Sequence, residues 1–115
     1  IVGCDRVAAN GDVANKVGTY PLALAAHANG IEFIVVGPTS TIDPDCPDGG
    51  RIVIEERSPD EVLSAAGQPT APKGTVCRNP AFDLTPAHLI TALVTECGVA
   101  QPVNGASVAE LFARR

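Results

Sequence analysis

The run IEFIVV at residues 31–36 is the stretch that decides the fold class. It is a nearly continuous series of apolar and β-branched residues between Gly30 and Gly37. Such a run is typical of a strand that is buried on both faces. Residues 1–3, Ile-Val-Gly, resemble the end of another buried strand. Strand, helix and strand in this order predict an α/β fold with a mostly parallel sheet, a right-handed crossover and flanking helices.

The helix expected between these two strands begins at Val13, with Asp12 as its N-cap, and runs to about Ala28. Pro21 lies inside this span. Proline has no N–H group to donate to the Val17 carbonyl, so a kink or a break is expected at this point.

Turn-rich segments alternate with shorter predicted elements in the rest of the chain. In two places a serine is followed three residues later by a glutamate, which is the pattern of a capping box at a helix start. The predicted elements are a strand over 51–56 and helices over 58–65, 85–97 and 107–115, the last one in a tail that starts at residue 99.

Charge and length limit the classes of function. The chain has 115 residues and a net charge of -5, which suits one domain or part of one and repels a nucleic-acid backbone. No apolar run approaches the length of a membrane span, so no membrane partner is expected. Because the chain opens on the tail of a strand, we expect it to be a fragment of a longer protein.

The cysteines and histidines do not indicate a metal or redox site. The four cysteines contain no C-x-x-C pair, and both histidines lie in predicted helices without ligand spacing. Sparse thiols favour a reducing cytoplasm, and neither a metal nor a cofactor is expected. These residues are Cys4, Cys46, Cys77, Cys97, His27 and His88.

Asp5 is the first candidate for chemistry. It stands just past a predicted strand, and ligands of α/β sheets bind beyond the carboxyl ends of the strands. A carboxylate in that position is suited to proton transfer. The alternative is a loop aspartate that accepts hydrogen bonds from the amides of its own turn.

Asn15 and Lys16 are the second candidates. They fall in the first turn of the predicted helix, where free N–H groups and the helix dipole favour a phosphate and the lysine adds a full charge. The alternative for Lys16 is a solvated surface lysine. Thr39, Ser40 and Thr41 follow the second strand at the same end of the sheet, so they are placed to donate hydrogen bonds to sugar or phosphate oxygens.

Several longer motifs carry a resemblance to a known family. They resemble the C-terminal part of the methylthioribose-1-phosphate isomerases, which share a larger family with ribose-1,5-bisphosphate isomerase. The same family includes the regulatory alpha, beta and delta subunits of the initiation-factor guanine-nucleotide exchange complex. The motifs are GCDRVAANGDVANKVGTY at 3–20, PTSTID at 38–43, IEERSP at 54–59 and NPAFDLTPAHLITALVTECGV at 79–99.

The resemblance implies a Rossmann-like domain of a homodimeric, cytoplasmic enzyme of methionine salvage, a branch of amino-acid biosynthesis. The implied reaction converts 5-methylthioribose 1-phosphate into 5-methylthioribulose 1-phosphate without a cofactor. The proton donor of the family falls on Asp5, and its substrate-binding Asn-Lys pair falls on Asn15 and Lys16. The catalytic cysteine of the family is expected outside residues 1–115, so the piece alone is expected to be inactive.

Two other members of the family remain as alternatives. A regulatory subunit of the exchange complex shares the fold, but these subunits tend to lose the acid that this chain keeps at Asp5. Ribose-1,5-bisphosphate isomerase shares Asp5, Asn15 and Lys16. The segments 38–43 and 54–59 are more similar to the methylthioribose enzyme, which favours that reading.

Overall fold

The computed structural model describes residues 1–115 and contains nine short strands and three helices. The strands are β1 Arg6–Ala8, β2 Val13–Lys16, β3 Ile34–Val36, β4 Ile42–Asp43, β5 Ser64–Ala65, β6 Gln68–Pro69, β7 Phe82–Thr85, β8 Ala92–Thr95 and β9 Gly98–Ala100. The helices are α1 Thr19–Ala28, α2 Asp60–Leu63 and α3 Gly105–Ala113.

One sheet contains the stretch that the sequence marked as a buried strand. Its strand order is β3-β8-β9, with β3 parallel to β8 and β9 antiparallel to β8. Val2 forms a parallel bridge to Val35 on the other side of β3. The expected parallel relation between the start of the chain and residues 34–36 is therefore confirmed.

The second sheet is not parallel in the way that the sequence predicted. Its order is β4-β1-β2-β7, and both pairings of β2 are antiparallel, whereas β1 and β4 are parallel. A separate small hairpin joins β5 to β6. The α/β class is thus correct, but the sheets are mixed and helices are few, so a mostly parallel, Rossmann-like sheet is not confirmed.

The helix predicted from Val13 is wrong in its first six residues. Val13 pairs with Val7 on one side and with Thr85 on the other, and all three side chains are fully buried. Residues 13–16 therefore form a central strand because pairing on both edges and burial outweigh local helix propensity.

Helix α1 begins only at Thr19. Gly18 precedes it with a φ of 108°, a conformation that glycine adopts without strain. The carboxylate of Asp83 accepts hydrogen bonds from the N–H groups of Gly18, at 2.7 Å, and Tyr20, at 3.0 Å. Pro21 therefore lies in the first turn, where its missing N–H has no partner within the helix, and the predicted kink or break does not occur.

This long-range cap is expected to contribute measurably to stability. Asp83→Ala removes both hydrogen bonds and a negative charge at the helix N-terminus, so we expect the free energy of unfolding to fall by about 1–2 kcal/mol. Urea unfolding followed by circular dichroism measures it. The control is Asp48→Ala, an exposed carboxylate without a side-chain cap; equal stability of the two variants would contradict the capping role.

The remaining predicted elements are corrected in part. Residues 85–97 were predicted as a helix, but they form the end of β7, a 3₁₀ turn over 87–89 and strand β8, which pairs with β3 and β9. Residues 51–56 form no strand and contribute only a bridge between Glu56 and Pro80. The helix predicted over 58–65 is confirmed as the shorter α2, which covers 60–63.

The terminal helix is confirmed as α3, although its cap is different. Asn104 is the N-cap, and Ser107 closes the capping box as the third helical residue. Val108 and Leu111 bury the inner face of α3 against a core that both larger sheets and α1 also share. None of the helices is both long enough and apolar enough to cross a membrane.

Candidate functional site

Three strand ends meet at one edge of the first sheet. Val2, β3 and β8 run parallel, so the residues that follow them lie at the same edge. Asp5 follows Val2, residues 39–41 follow β3, and Glu96 follows β8. In α/β proteins this edge is where ligands bind.

Asp5 lines a cavity of about 230 Å³ at this edge. Its backbone N–H donates to the Ala14 carbonyl at 2.9 Å, which fixes it against β2. Its carboxylate is exposed and has no hydrogen-bond or ion-pair partner in the structure, so it does not bond its own turn amides. The other residues that line the cavity are Arg6, Ser40, Thr41, Ile42, Asp43, Pro44, Phe112 and Arg115.

Both signs of charge surround Asp5. Arg6 donates to the Asp43 carboxylate at 3.0 Å, so its charge is matched within the protein. The guanidinium carbon of Arg115 lies 4.6 Å from the centre of the Phe112 ring, an arrangement that stabilises a cation over an aromatic face. The cavity is therefore lined mainly by charged and polar groups.

Cys4 lies beside Asp5 but is not an activated nucleophile. Its thiol packs against Gly37, where a side chain would collide with the sulfur, and lies 3.4 Å from the Thr41 hydroxyl. Burial raises the pKa of Cys4, opposed by its hydrogen bond with Thr41 and assisted by the negative charge of Asp5. The thiol stays protonated near neutral pH and has a structural role.

Asn15 and Lys16 lie on β2 and not in a helical turn. The Asn15 amide donates to the Thr19 hydroxyl at 3.1 Å, whereas Lys16 is exposed. Consecutive strand residues point to opposite faces of a sheet, so their side chains diverge. The N–H groups of Gly18 and Tyr20 at the start of α1 are bonded to Asp83, which leaves these two unavailable to a phosphate.

The structure does not bring all three predicted residues into one cavity. The Asp5 N–H is hydrogen-bonded to Ala14, the β2 residue before Asn15, so Asp5 and Asn15 lie on neighbouring segments. Neither Asn15 nor Lys16 lines the cavity that contains Asp5. No group of three or more potential metal-ligating side chains is present, so the site offers no evident metal position.

Asp12, which the sequence predicts as a helix cap, has a different role in the structure. The carboxylate accepts hydrogen bonds from the Asn10 amide at 2.8 Å, the Gly49 N–H at 3.0 Å and the Ala87 N–H at 2.9 Å. Burial acts to raise the pKa of Asp12, but these hydrogen bonds, with a contribution from His88, outweigh it and lower the pKa. Asp12 therefore joins its own loop to two distant segments, at Gly49 and Ala87.

Glu96 is a second residue whose role the sequence does not predict. Its carboxylate accepts the Thr39 N–H at 2.9 Å from one oxygen and 3.1 Å from the other, and it accepts the Thr39 hydroxyl as well. The hydrogen bonds from Thr39 lower the pKa of Glu96. The bond from the Thr39 hydroxyl is the largest cause of this shift. The only sequence signal for it is an acid that directly follows the last parallel strand.

Comparison with known proteins identifies the family. The profile of the initiation factor 2 subunit family matches residues 1–102. The chain belongs to this family.

The proteins that are similar to this chain include both isomerases and an initiation-factor subunit. It is 61% identical over 102 residues, 89% of the chain, to the methylthioribose-1-phosphate isomerase of Roseiflexus castenholzii. The crystal structure of 5-methylthioribose 1-phosphate isomerase from Pyrococcus horikoshii superposes on the whole chain with a TM-score of 0.92 at 46% identity. The translation initiation factor eIF-2B subunit delta from A. fulgidus covers 97% of it with a TM-score of 0.89 at 35% identity.

The matched region is only part of each relative. The chain spans 29% of the Roseiflexus isomerase, 32% of the Pyrococcus structure and 33% of the A. fulgidus subunit. The family and the fold of this region are thus established, and the activity of the whole protein is a separate question.

Proposed function

We propose that this chain is part of an aldose–ketose isomerase that converts 5-methylthioribose 1-phosphate into 5-methylthioribulose 1-phosphate in methionine salvage. The observation that carries the proposal is the 61% identity to a methylthioribose-1-phosphate isomerase, against 35% to the eIF-2B subunit delta structure. Homodimeric assembly and a cytoplasmic location belong to the same proposal.

The substrate determines what the site must do. Its anomeric oxygen carries a phosphate, so the ring cannot open as that of a free sugar does. The ring oxygen must gain a proton as its bond to C1 breaks. One hydrogen then moves from C2 to C1, and the C2 hydroxyl loses its proton to become the ketone. The proton gained equals the proton lost, and the phosphate stays on C1 throughout.

Asp5 is the proposed donor of the proton to the ring oxygen. Its carboxyl group lines a cavity and is free of protein hydrogen bonds, so a ligand has access to it. A positioned acid of this kind contributes roughly 10²–10⁴ to a rate. The Arg6–Asp43 ion pair and the hydroxyl groups of Ser40 and Thr41 surround it with polar groups suited to a sugar.

Asn15 and Lys16 are the proposed contacts for the rest of the phosphosugar. Lys16 is exposed and forms no ion pair within the chain, so its charge is available to an anion. Asn15 is held by Thr19 at the start of α1. Neither residue lines the Asp5 cavity. Their part in binding therefore requires a ligand that extends from this cavity past β2, or further binding groups supplied by the remainder of the protein.

The direct test is turnover by the full-length protein. Purified protein is incubated with 5-methylthioribose 1-phosphate, and ³¹P and ¹³C NMR follow the loss of the anomeric carbon signal and the appearance of a ketone. We expect conversion without added metal or nucleotide. Failure of the well-folded protein to convert this substrate, together with stable binding to initiation-factor subunits, would favour the regulatory alternative.

Lys16→Ala in the full-length protein is expected to weaken binding of 5-methylthioribose 1-phosphate by roughly tenfold to a hundredfold, because one charged hydrogen bond to the phosphate is lost. Isothermal titration calorimetry measures the affinity. Lys73→Ala, which removes another exposed lysine, is the matched control. An affinity unchanged from that of the control would show that Lys16 is merely solvated.

A further inference from the structure

Hydrogen bonds to β8 and to Glu96, which follows it, hold the start of the turn over residues 39–41. Gly37 before it donates its N–H to the Val94 carbonyl at 3.0 Å, and Thr39 is held by both oxygens of Glu96. The side chain of Thr39 is only 2% exposed, so its hydroxyl is used up inside the protein. The hydroxyl of Thr41 is also engaged, since it donates to the Pro38 carbonyl at 2.7 Å.

Ser40 is the one residue of this turn whose hydroxyl is free. Its side chain is exposed, makes no hydrogen bond in the structure, and lines the same cavity as Asp5. Its position is determined by its two neighbours, because a residue between two fixed residues has little freedom of its own. The backbone of Ser40 is therefore restrained, and its free hydroxyl lies at the wall of the cavity.

The position of Glu96 is itself supported. It occupies the tight turn between β8 and β9, where the Cys97 N–H donates to the Thr95 hydroxyl at 3.1 Å. A short turn on a paired hairpin gives the carboxylate a rigid base. An exposed glutamate with three hydrogen bonds to one buried residue has a more specific arrangement than a solvated surface charge.

We propose that Glu96 is a positioning residue that, through Thr39, holds Ser40 so that the Ser40 hydroxyl hydrogen-bonds an oxygen of the phosphosugar beside Asp5. This inference rests on the proposed function for the identity of the ligand. It divides the three hydroxyl residues into two that build the turn, Thr39 and Thr41, and one that binds the ligand, Ser40.

A double-mutant cycle in the full-length protein tests the proposal. KM and kcat for 5-methylthioribose 1-phosphate are measured for Ser40→Ala, Glu96→Gln and the double variant. Each single change is expected to raise KM about tenfold, the value of one hydrogen bond, with kcat within about threefold of wild type. The double variant is expected to resemble the singles, because both remove the same contact. Independent effects, with KM raised about a hundredfold in the double variant, would overturn the proposal.

Conservative variants separate positioning from general loss of structure. Thr39→Ser keeps the hydroxyl donor and is expected to keep the wild-type KM, whereas Thr39→Val keeps the shape and loses the donor and is expected to raise KM. Glu110→Gln, at an exposed glutamate of α3, is the matched control for Glu96→Gln. Equal KM values for Thr39→Val and Thr39→Ser would contradict the role of the hydroxyl.

Amide hydrogen exchange provides a readout that does not depend on the substrate. Glu96→Gln is expected to speed exchange of the Thr39 N–H by about tenfold or more, since a charged acceptor is lost. Unchanged exchange would overturn the positioning role of Glu96 even if the enzyme is active. Lack of turnover by the wild-type protein together with faster exchange in the variant would refute the proposed function and leave the hold of Glu96 on Thr39 supported.

Discussion

Asp5→Asn in the full-length protein is expected to lower kcat for 5-methylthioribose 1-phosphate by roughly 10²–10⁴, the contribution of a positioned acid. Asparagine has the size of aspartate but has no acidic proton to deliver to the ring oxygen. Because the Asp5 carboxylate makes no hydrogen bond within the protein, its replacement is not expected to disturb the fold. Stopped assays with NMR detection of the ketose measure the rate.

The control for this prediction is Asp45→Asn, which removes an exposed carboxylate from a neighbouring loop and is expected to retain full turnover. Calorimetry with the same sugar phosphate is expected to give affinities for Asp5→Asn within about threefold of wild type, since the proposed partner of Asp5 is the ring oxygen and not the phosphate. A kcat for Asp5→Asn within about tenfold of wild type would exclude Asp5 as the proton donor.

The largest effect on stability is expected for Asp12→Ala. This change leaves the N–H groups of Gly49 and Ala87 without their acceptor and removes the partner of the Asn10 amide. Because the carboxylate is half-buried and partly screened by water, we expect the three bonds together to contribute about 2–4 kcal/mol to the free energy of unfolding. Urea unfolding measures the loss, and a loss no larger than that of Asp45→Ala would contradict this role.

The same carboxylate gives a pH dependence of defined sign. Its pKa is lowered in the folded protein, so its contribution is fully present above the unfolded value of about 4 and is lost as pH falls through the lower folded value. Asp12→Asn is expected to flatten the stability curve on the acid side of pH 4 relative to wild type. Parallel acid-side curves for the two proteins would show that Asp12 is not linked to folding.

The parts of the fold that the sequence predicts are those with a strong local signal. Residues 34–36 are apolar and β-branched, and they form a strand with parallel neighbours as expected. The terminal helix is predicted from its capping pattern, although Asn104 and not Ser107 is the cap. In both cases local propensity and burial favour the same structure.

The secondary-structure predictions are wrong for segments whose structure depends on pairing with distant parts of the chain. Residues 13–16 contain alanine and lysine, which suit a helix, but they lie between β1 and β7 with hydrogen bonds on both edges. Leu89 and Leu93 have helical spacing, yet residues 92–95 lie between β3 and β9. The distant partners of these strands lie 58 to 72 residues away in the sequence, and pairing at that range leaves no trace in a local pattern.

The sequence predicts only those residues of the candidate site that directly follow a predicted strand. Asp5 and residues 39–41 follow strands, and the structure places them at one edge, where Ser40 and Thr41 line the same cavity as Asp5. The roles of Glu96 and Asp83 depend on hydrogen bonds across 57 and up to 65 residues of sequence, which a single sequence does not reveal. The phosphate-binding role of Lys16 rested on a helix start that is instead a strand, so that role now depends on its exposed charge.

The most direct test is a crystal structure of the full-length protein with 5-methylthioribulose 1-phosphate bound. We expect the sugar to occupy the cavity between Asp5 and Ser40, with the Asp5 carboxyl group within hydrogen-bond distance of the oxygen on C4, which was the ring oxygen of the substrate. A sugar bound elsewhere, with Asp5 facing only water, would contradict the role of Asp5 as the proton donor.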